Sequence, residues 1–170
     1  MDATAGGKIL IRIAGAADAP TIGALATRVT REYVLPDQPP AAHAALFDFF
    51  SEHGIGTRIA AGHRFHVAEI DGVLAGAIGT RDDAHVHLLF VDTAFQHRGI
   101  ARALWHAALA ACIESARPAR ITVNSSAYAV PVYRRLGFDV AGAPITGDDI
   151  VATPMVYLIE AEESATTRSG

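Results

Sequence analysis

The sequence predicts an α/β chain whose central mixed sheet is mostly antiparallel and carries helices on both faces. Three observations predict it. Short apolar stretches alternate with stretches of helical period in the order β-α-α-β-β-β-α-β-α-β-β. The early strands are joined by tight turns and the later ones through helices, so antiparallel pairs sit beside strand–helix–strand crossings. The 170 residues, 51% hydrophobic and 19% charged, suit one domain over residues 1–170 that needs neither metal nor disulfide to fold.

Ile9–Ile13 alternates apolar and basic residues and reads as the first strand. Asp18 and Pro20 mark a helix start, and Ile22, Leu25, Val29 and Tyr33 lie on one face of that helix. Pro36, Pro39 and Pro40 break it. A second helix is expected over Ala41–Glu52, ended by Gly54 and Gly56. Phe65–Ile70 and Val73–Thr80 flank Asp71-Gly72, a dipeptide suited to a hairpin turn in which both residues take positive φ. His85–Val91 is a further strand. Gly99–Ala116 is helical, with Ile100, Leu104, Ala108, Ala111 and Cys112 on one side, and Pro118 stops it. Arg120–Asn124 reads as a strand, Tyr128–Leu136 as a short helix, and Val151–Glu160 as the last strand. Ser164–Gly170 reads as a frayed tail.

The formal net charge is -4, so no global basic field draws nucleic acid, and any phosphate site must be local. One cysteine excludes an intramolecular disulfide and fits a reducing compartment. No apolar run approaches the roughly 18 residues that span a bilayer, and no apolar segment of a signal peptide follows the N-terminus. The expected location is the cytoplasm, with no membrane partner.

The most informative stretch is Val91-Asp92-Thr93-Ala94-Phe95-Gln96-His97-Arg98-Gly99-Ile100-Ala101-Arg102. A strand ends, a loop follows and a helix begins. The free N–H groups and positive dipole end of a first helical turn hold anions. Gly99 lets backbone approach a phosphate without a Cβ in the way, Ala101 keeps the next contact small, and Arg98 and Arg102 add positive charge. Gln96-x-x-Gly99-x-Ala101 resembles the Q/R-x-x-G-x-G/A signature of the GCN5-related N-acetyltransferases (GNAT). Thr93 departs from the Pro found there in many members. The resemblance implies the GNAT-type acyl-CoA N-acyltransferase fold. It also implies that backbone amides over Gln96–Arg102, including His97 and Ile100, bind the pyrophosphate of acetyl-CoA, and that Leu89, Phe90 and Val91 pair with the pantetheine arm.

A second stretch, from Asn124 through Tyr128 and Tyr133 to Gly137-Phe138, resembles the other hallmark of that family: Asn, then A-x-x-x-Y-x-x-x-G-F. By this resemblance Asn124 contacts the cofactor arm and Tyr133 lies near the thioester sulfur as the acid for the leaving thiolate. An amine attacking a thioester expels a good leaving group, so no covalent enzyme intermediate is needed. Cys112, on an apolar helix stripe, reads as core.

His85 and His87 lie two apart on the strand before the loop. Strict alternation puts both on the face of Leu89 and Val91. A histidine can take the proton that an alkylammonium must lose before attack. The strand Ala84–Val91 also resembles that of arylalkylamine N-acetyltransferases, which carry two histidines at this spacing in their proton path. Two other readings use the same residues. A non-catalytic acyl-CoA sensor would keep the fold without turnover. A cupin-like metal site is suggested by Gly79, His85, His87, Asp92 and Gly99, with His63 and His66 nearby. Against it, Asp92 stands where cupins usually have Glu, a helical period follows Gly99, and no histidine follows His106. No metal is expected.

The expected acceptor is a small-molecule or peptide amine. Glu32, Tyr33, Asp37, Asp148 and Asp149 are candidates to face a cationic amine, and Phe47, Phe49 and Phe50 to shape a pocket or pack in the core. The last strands are a candidate surface for a homodimer.

Overall fold

A computed structural model describes residues 7–147 and 149–160. The tail read at Ser164–Gly170, and Asp148, lie outside the described residues. Among the described residues eight strands form the sheet: β1 (Ile9–Ile13), β2 (Arg64–Ile70), β3 (Val73–Arg81), β4 (His85–Val91), β5 (Arg120–Ser125), β6 (Asp139–Val140), β7 (Ile145–Gly147) and β8 (Ile150–Leu158). Their order is β1-β2-β3-β4-β5-β8-β6, and β7 also pairs with β8. Every pairing is antiparallel except β4–β5, which is parallel. That exception follows from the helical crossover between these strands, since parallel neighbours cannot be joined by a tight turn. At the β2–β3 hairpin Asp71 and Gly72 take φ of 51° and 78°, the turn the sequence predicts.

Among the described residues five α-helices cover the sheet. Helices α1 (Ala19–Val29), α2 (His43–Phe49) and α3 (Glu52–Ala60) lie on one face; α4 (Ile100–Ser115) lies on the other, and α5 (Val130–Arg135) precedes β6. Their apolar stripes enclose two cores. Leu104, Trp105, Ala108 and Cys112 of α4 pack on Ile78, Val86, Ile121 and Met155. Ile22 and Ala26 of α1 and Ile55 of α3 pack with Phe65, Val67, Ala77 and Leu88. The Trp105 and Tyr133 rings both meet Phe138, at 4.8 and 5.3 Å between centroids, which ties α5 to the α4 layer.

One expectation about the helices is corrected. The second predicted helix divides, and Gly54 and Gly56 lie inside α3 rather than ending a helix. Ser51, with extended backbone, starts a new helix when its hydroxyl accepts a hydrogen bond from the Gly54 N–H at 3.1 Å. Gly54 is small because a Cβ there would run into the carbonyl oxygens of Asp48 and Phe49.

A second correction concerns β4. Gly79 pairs with Leu88, yet Thr80 pairs with Val86, so His87 is an extra residue, a β-bulge. The bulge reverses the alternation. Val86 and Leu89 both pack on the α4 side, while Leu88 and Phe90 face α1–α3. His87 therefore turns towards Phe49 and Phe65, away from the face of Leu89 and Val91. His85 is opposite in parity to Val86 and falls on the same side as His87.

The segment between α1 and α2 continues as a π-turn (Thr30–Val34) and tight 3-10 turns, and passes over the start of β8. It is fastened there by Gln38, whose Nε2 donates to the Val151 carbonyl at 2.7 Å while its Oε1 accepts from the Val151 N–H at 2.9 Å. One side-chain amide thus satisfies both backbone groups of Val151. Gln38→Leu leaves both partially buried groups unpaired, and the expected cost is about 1–3 kcal/mol of stability in urea unfolding; an unchanged midpoint would contradict this role.

Candidate functional site

The parallel pair β4–β5 is in register over only His85↔Thr122 and Val86↔Val123. At the bulge the strands part. Leu89–Val91 then forms one wall of a cleft, and the end of β5 with the segment leading into α5 forms the other. The cleft holds two adjoining cavities that share Val34, Leu89, Phe90, Ser126, Ala129 and Tyr133.

The larger cavity, about 320 Å³, runs from Leu89–Val91 to the start of α4. There Gly99 takes φ of 79° and ψ of 13°, a left-handed conformation that opens the helix. That conformation, rather than room for a Cβ, is what requires glycine: a Cβ would meet nothing within 4 Å. No side chain caps the helix, and the first backbone bond inside it runs from the Ala103 N–H to the Gly99 carbonyl. The N–H groups of Ile100, Ala101 and Arg102 are consequently turned, with the positive dipole end, towards the cavity that these residues line. Gln96 and His97 line it too, and the Gln96 amide makes a long 3.5 Å bond to the Val91 carbonyl. Arg98 does not line it; its guanidinium lies 5.5 Å from the Phe95 ring centroid. Arg102 lines it, but its guanidinium donates to the Arg135 carbonyl at 3.1 Å.

The loop before α4 is held from the other side of the sheet. Arg28 binds Asp92 at 2.8 Å, and Thr93 is linked to both Tyr33 and Glu32 at 3.3 Å. Tyr33 also stacks on Tyr128 at 4.4 Å, so aromatic rings from both walls meet at the cavity. Tyr128, Ser126 and Ala129 were not singled out in the sequence as lining residues; their position follows from the parting of the strands, which no local pattern signals.

The smaller cavity, about 100 Å³, is lined by His87, Asn124 and Tyr133 together with apolar side chains from α2, β4 and β8. The structure thus brings together His87, Tyr133, Asn124 and Leu89–Phe90. His85 lines neither cavity; its Nδ1 lies 2.8 Å from the Thr122 hydroxyl. Glu32, Asp37 and Asp149 line neither cavity, and Asp148 lies outside the described residues. Phe50 is core and also lines the smaller cavity, while Phe49 carries the Arg58 guanidinium 3.3 Å from its ring centroid.

His87 sits over Gly79, where a Cβ would overlap its imidazole and approach Phe65 to 2.9 Å. Both of its ring nitrogens are buried without a partner among the described residues, as are His63 Nδ1 and Arg58 Nη1. Burial first, and then the positive charge of Arg58, His63, His85 and Arg81, holds the His87 pKa down to about 3. Burial, with Arg81 adding to it and Asp82 opposing, also lowers His85. Burial lowers Arg58 to about 10, so it remains a cation at neutral pH. Tyr133 is raised well above its usual value by burial alone. Burial likewise raises the Cys112 thiol, which lies in the core.

Among the described residues no three His, Cys, Asp or Glu side chains come together to hold a metal. The segment after Gly99 is a 16-residue helix rather than barrel strands. Among the same residues no helix is long and apolar enough to cross a membrane.

Comparisons with known proteins match this arrangement. The family model of the acetyltransferase (GNAT) domain matches residues 30–159. Among solved structures, a GCN5-related N-acetyltransferase from Rhodopseudomonas palustris aligns with TM-score 0.75 at 18% identity, covering 88% of this chain and 95% of that one. The PaiA N-acetyltransferase from Thermoplasma acidophilum, in complex with coenzyme A, aligns with TM-score 0.73 at 15% identity over 89% and 99% of the two chains. The ribosomal-protein-S5-alanine acetyltransferase from Vibrio fischeri aligns with TM-score 0.62 at 18% identity over 90% and 94%. At these identities the structures show a shared fold. No curated protein matches significantly.

The buried cationic cluster makes a testable electrostatic prediction. In an NMR titration the His87 imidazole is expected to stay neutral to about pH 3. Arg58→Met removes one of the charges that disfavour its protonation, so the variant protonates at higher pH, still below 6.5 because burial remains. Protonation near 6.5 in the intact protein, or no change in the variant, would contradict the assignment. His63, His66, His85 and His87 are all lowered. The unfolded chain therefore takes up their protons first, and stability is complete above about pH 6.5 and declines as pH falls below it. His87→Gln should reduce that acid decline in urea midpoints between about pH 7.5 and 5; an equal decline would contradict it.

Proposed function

The chain belongs to the GNAT acetyltransferase family and is an N-acetyltransferase, and from that premise we propose that residues 1–170 form one domain that catalyses direct attack of an amine on acetyl-CoA in a ternary complex. The observation that carries this reading is the cleft itself. Two strands part at His87, and the same opening ends at an uncapped helix N-terminus.

The residues present fit the co-substrate. Open N–H groups over Ile100–Arg102 and the positive helix end suit a pyrophosphate, with Gln96, His97 and Gly99 beside them. Arg98 and Arg102 add positive charge near that end, Arg98 from outside the cavity lining. The backbone of Leu89, Phe90 and Val91, no longer paired with β5, is free to hydrogen-bond an amide-bearing arm, and Asn124 faces it from the other wall. Bound there, acetyl-CoA supplies an activated thioester.

The chain's own residues handle the protons. An alkylamine is mostly protonated in water, but a small, largely apolar cavity favours its neutral form. His87, neutral and with unpartnered nitrogens, accepts the proton lost on attack. An imidazole with so low a pKa does not retain a proton, so His85, on the same face, serves as the next acceptor on the way to solvent. The amine nitrogen forms a bond to the acyl carbon, the carbon–sulfur bond breaks, and Tyr133 gives its proton to the leaving sulfur. Burial keeps the phenol protonated at neutral pH and makes it a weak acid, so its assistance to the thiolate is modest, and it regains its proton from solvent as the products leave. No covalent enzyme intermediate is involved, and Cys112 lines neither cavity.

Tyr133→Phe and His87→Gln are each expected to lower kcat by roughly 10²-fold with the KM for acetyl-CoA nearly unchanged, and His85→Gln less. Gly99→Val forces a β-branched residue into positive φ and should raise the KM for acetyl-CoA instead. Thiol-release kinetics separate these effects. If Tyr133→Phe and His87→Gln both keep the full rate, the chemical roles are wrong; if acetyl-CoA fails to raise the melting temperature, the cofactor site is wrong.

A further inference from the structure

One group of charged and ionisable side chains has no part in the cleft. Arg58 near the end of α3, His63 in the turn between α3 and β2, and His87 at the bulge of β4 come together beside Phe49 of α2 and Phe65 of β2. The Arg58 guanidinium lies 3.3 Å from the Phe49 ring centroid. That ring stands nearly perpendicular to His87 at 6.3 Å, and the His63 and His87 rings are 5.3 Å apart. Of these residues only His87 lines either cavity of the cleft, so the group sits behind that imidazole. Its polar atoms are buried without a partner among the described residues: Arg58 Nη1, His63 Nδ1 and both ring nitrogens of His87. A guanidinium this close over a ring is stacked on its face, which leaves its in-plane N–H groups free to donate.

The charge of the group is one-sided. Arg58 keeps its proton at neutral pH, and Asp48, the opposing charge it feels, acts on it without contact. Arg58 and Arg81 both bear on His63 and His87, and His85 adds to them at His87. Asp82 opposes them at His63, but it stands exposed on the β3–β4 turn, 3.5 Å from Arg81. A buried cation with no counter-charge in contact is strongly disfavoured. Neutral imidazoles bring N–H donors and no charge to offset it.

We propose that Arg58, His63 and His87 form a binding site for a small inorganic monoanion of the chloride class. Charge selects an anion, and the guanidinium at the centre of the group excludes a metal cation. The donors suit it, since a halide accepts from a guanidinium edge and from an imidazole N–H alike. Size limits it: two imidazoles 5.3 Å apart, hemmed by Phe49 and Phe65, leave room for an ion of one or a few atoms and not for an organic acid. The consequence for catalysis rests on the acetyl-transfer reading above. By accepting from one N–H of His87, the anion fixes the tautomer and leaves the lone pair of the other nitrogen for the amine proton, a task that a carboxylate performs for many catalytic imidazoles.

NMR of the side-chain nitrogens of the intact chain at about neutral pH tests the site without any acceptor. Sodium chloride is titrated against sodium gluconate at equal ionic strength, gluconate being a monoanion too large to enter. Chloride is expected to give saturable shifts at Arg58, His63 and His87, half-complete below about 0.1 M, with His87 moving to a single tautomer, and gluconate to give none. Arg58→Met should abolish saturation, and His63→Phe, which removes a donor and fills the space, should raise the half-saturating chloride at least about tenfold. Equal, non-saturating responses to the two salts, or saturation unchanged in both variants, overturns the proposal. The rise in melting temperature with acetyl-CoA, measured on the same samples, reports on the acetyl-transfer reading separately; its absence removes the catalytic consequence and leaves the anion site to be judged by the shifts.

Discussion

The functional geometry depends on one extra residue. Because His87 is inserted into β4 opposite Gly79, that strand bends and twists away from β5 just where the two would otherwise continue as a parallel pair. Had the ladder continued, the backbone of Leu89–Val91 would be consumed by β5, and the cleft would be closed sheet. The bulge also decides which side chain looks into the cleft. It reverses the parity of the strand, so that an imidazole rather than an aliphatic side chain projects over Gly79. Glycine is compatible with that ring as its neighbour and alanine is not. The opening of the sheet and the placement of the His87 imidazole thus have a single cause.

Around this opening, burial and charge divide the labour between two ionisable groups. His87 is surrounded by apolar rings and by cations, Arg58 above all, and both effects keep it unprotonated. Tyr133 is buried without a nearby charge and is kept protonated. The low polarity of the pocket thus leaves the imidazole unprotonated and the phenol protonated at the same pH. The segment that roofs the site is tied to β8 by the Gln38 amide, and the loop before α4 is tied to α1 by Arg28–Asp92 and to the π-turn after it by the Thr93 hydroxyl. Thr93 therefore supplies a cross-link, which a proline at this position would lack.

Much of this was legible in the sequence where the signal is local. Asp71-Gly72 set a hairpin, Gln96–Ala101 set an uncapped helix start, and the apolar stripe of Gly99–Ala116 set a core helix; each rests on a conformational need of a few adjacent residues. The misreadings share one origin, which is that their cause lies in other elements. Gly54 and Gly56 looked like helix ends because a glycine's need for closeness to Asp48 and Phe49 cannot be told from a need for chain termination. The histidines were assigned the wrong face because alternation assumes an unbroken ladder, and the register shift is visible only against β3. The partial separation of the pair, with His87 in the cavity and His85 outside it against Thr122, depends on β5, some 35 residues further along the chain. The acidic residues offered to a cationic acceptor were plausible by composition, and only the packing of the roof shows that Glu32 and Asp37 stand outside the lining.

The central claim is that the backbone freed by the bulge receives acetyl-CoA. Amide hydrogen exchange of Leu89, Phe90 and Val91, measured with and without acetyl-CoA, addresses it directly. The account predicts that co-substrate slows exchange there and at Ile100–Arg102, while the β1–β2 pair on the far side of the sheet is unaffected. Unchanged exchange over Leu89–Val91 in a protein saturated with acetyl-CoA would contradict it.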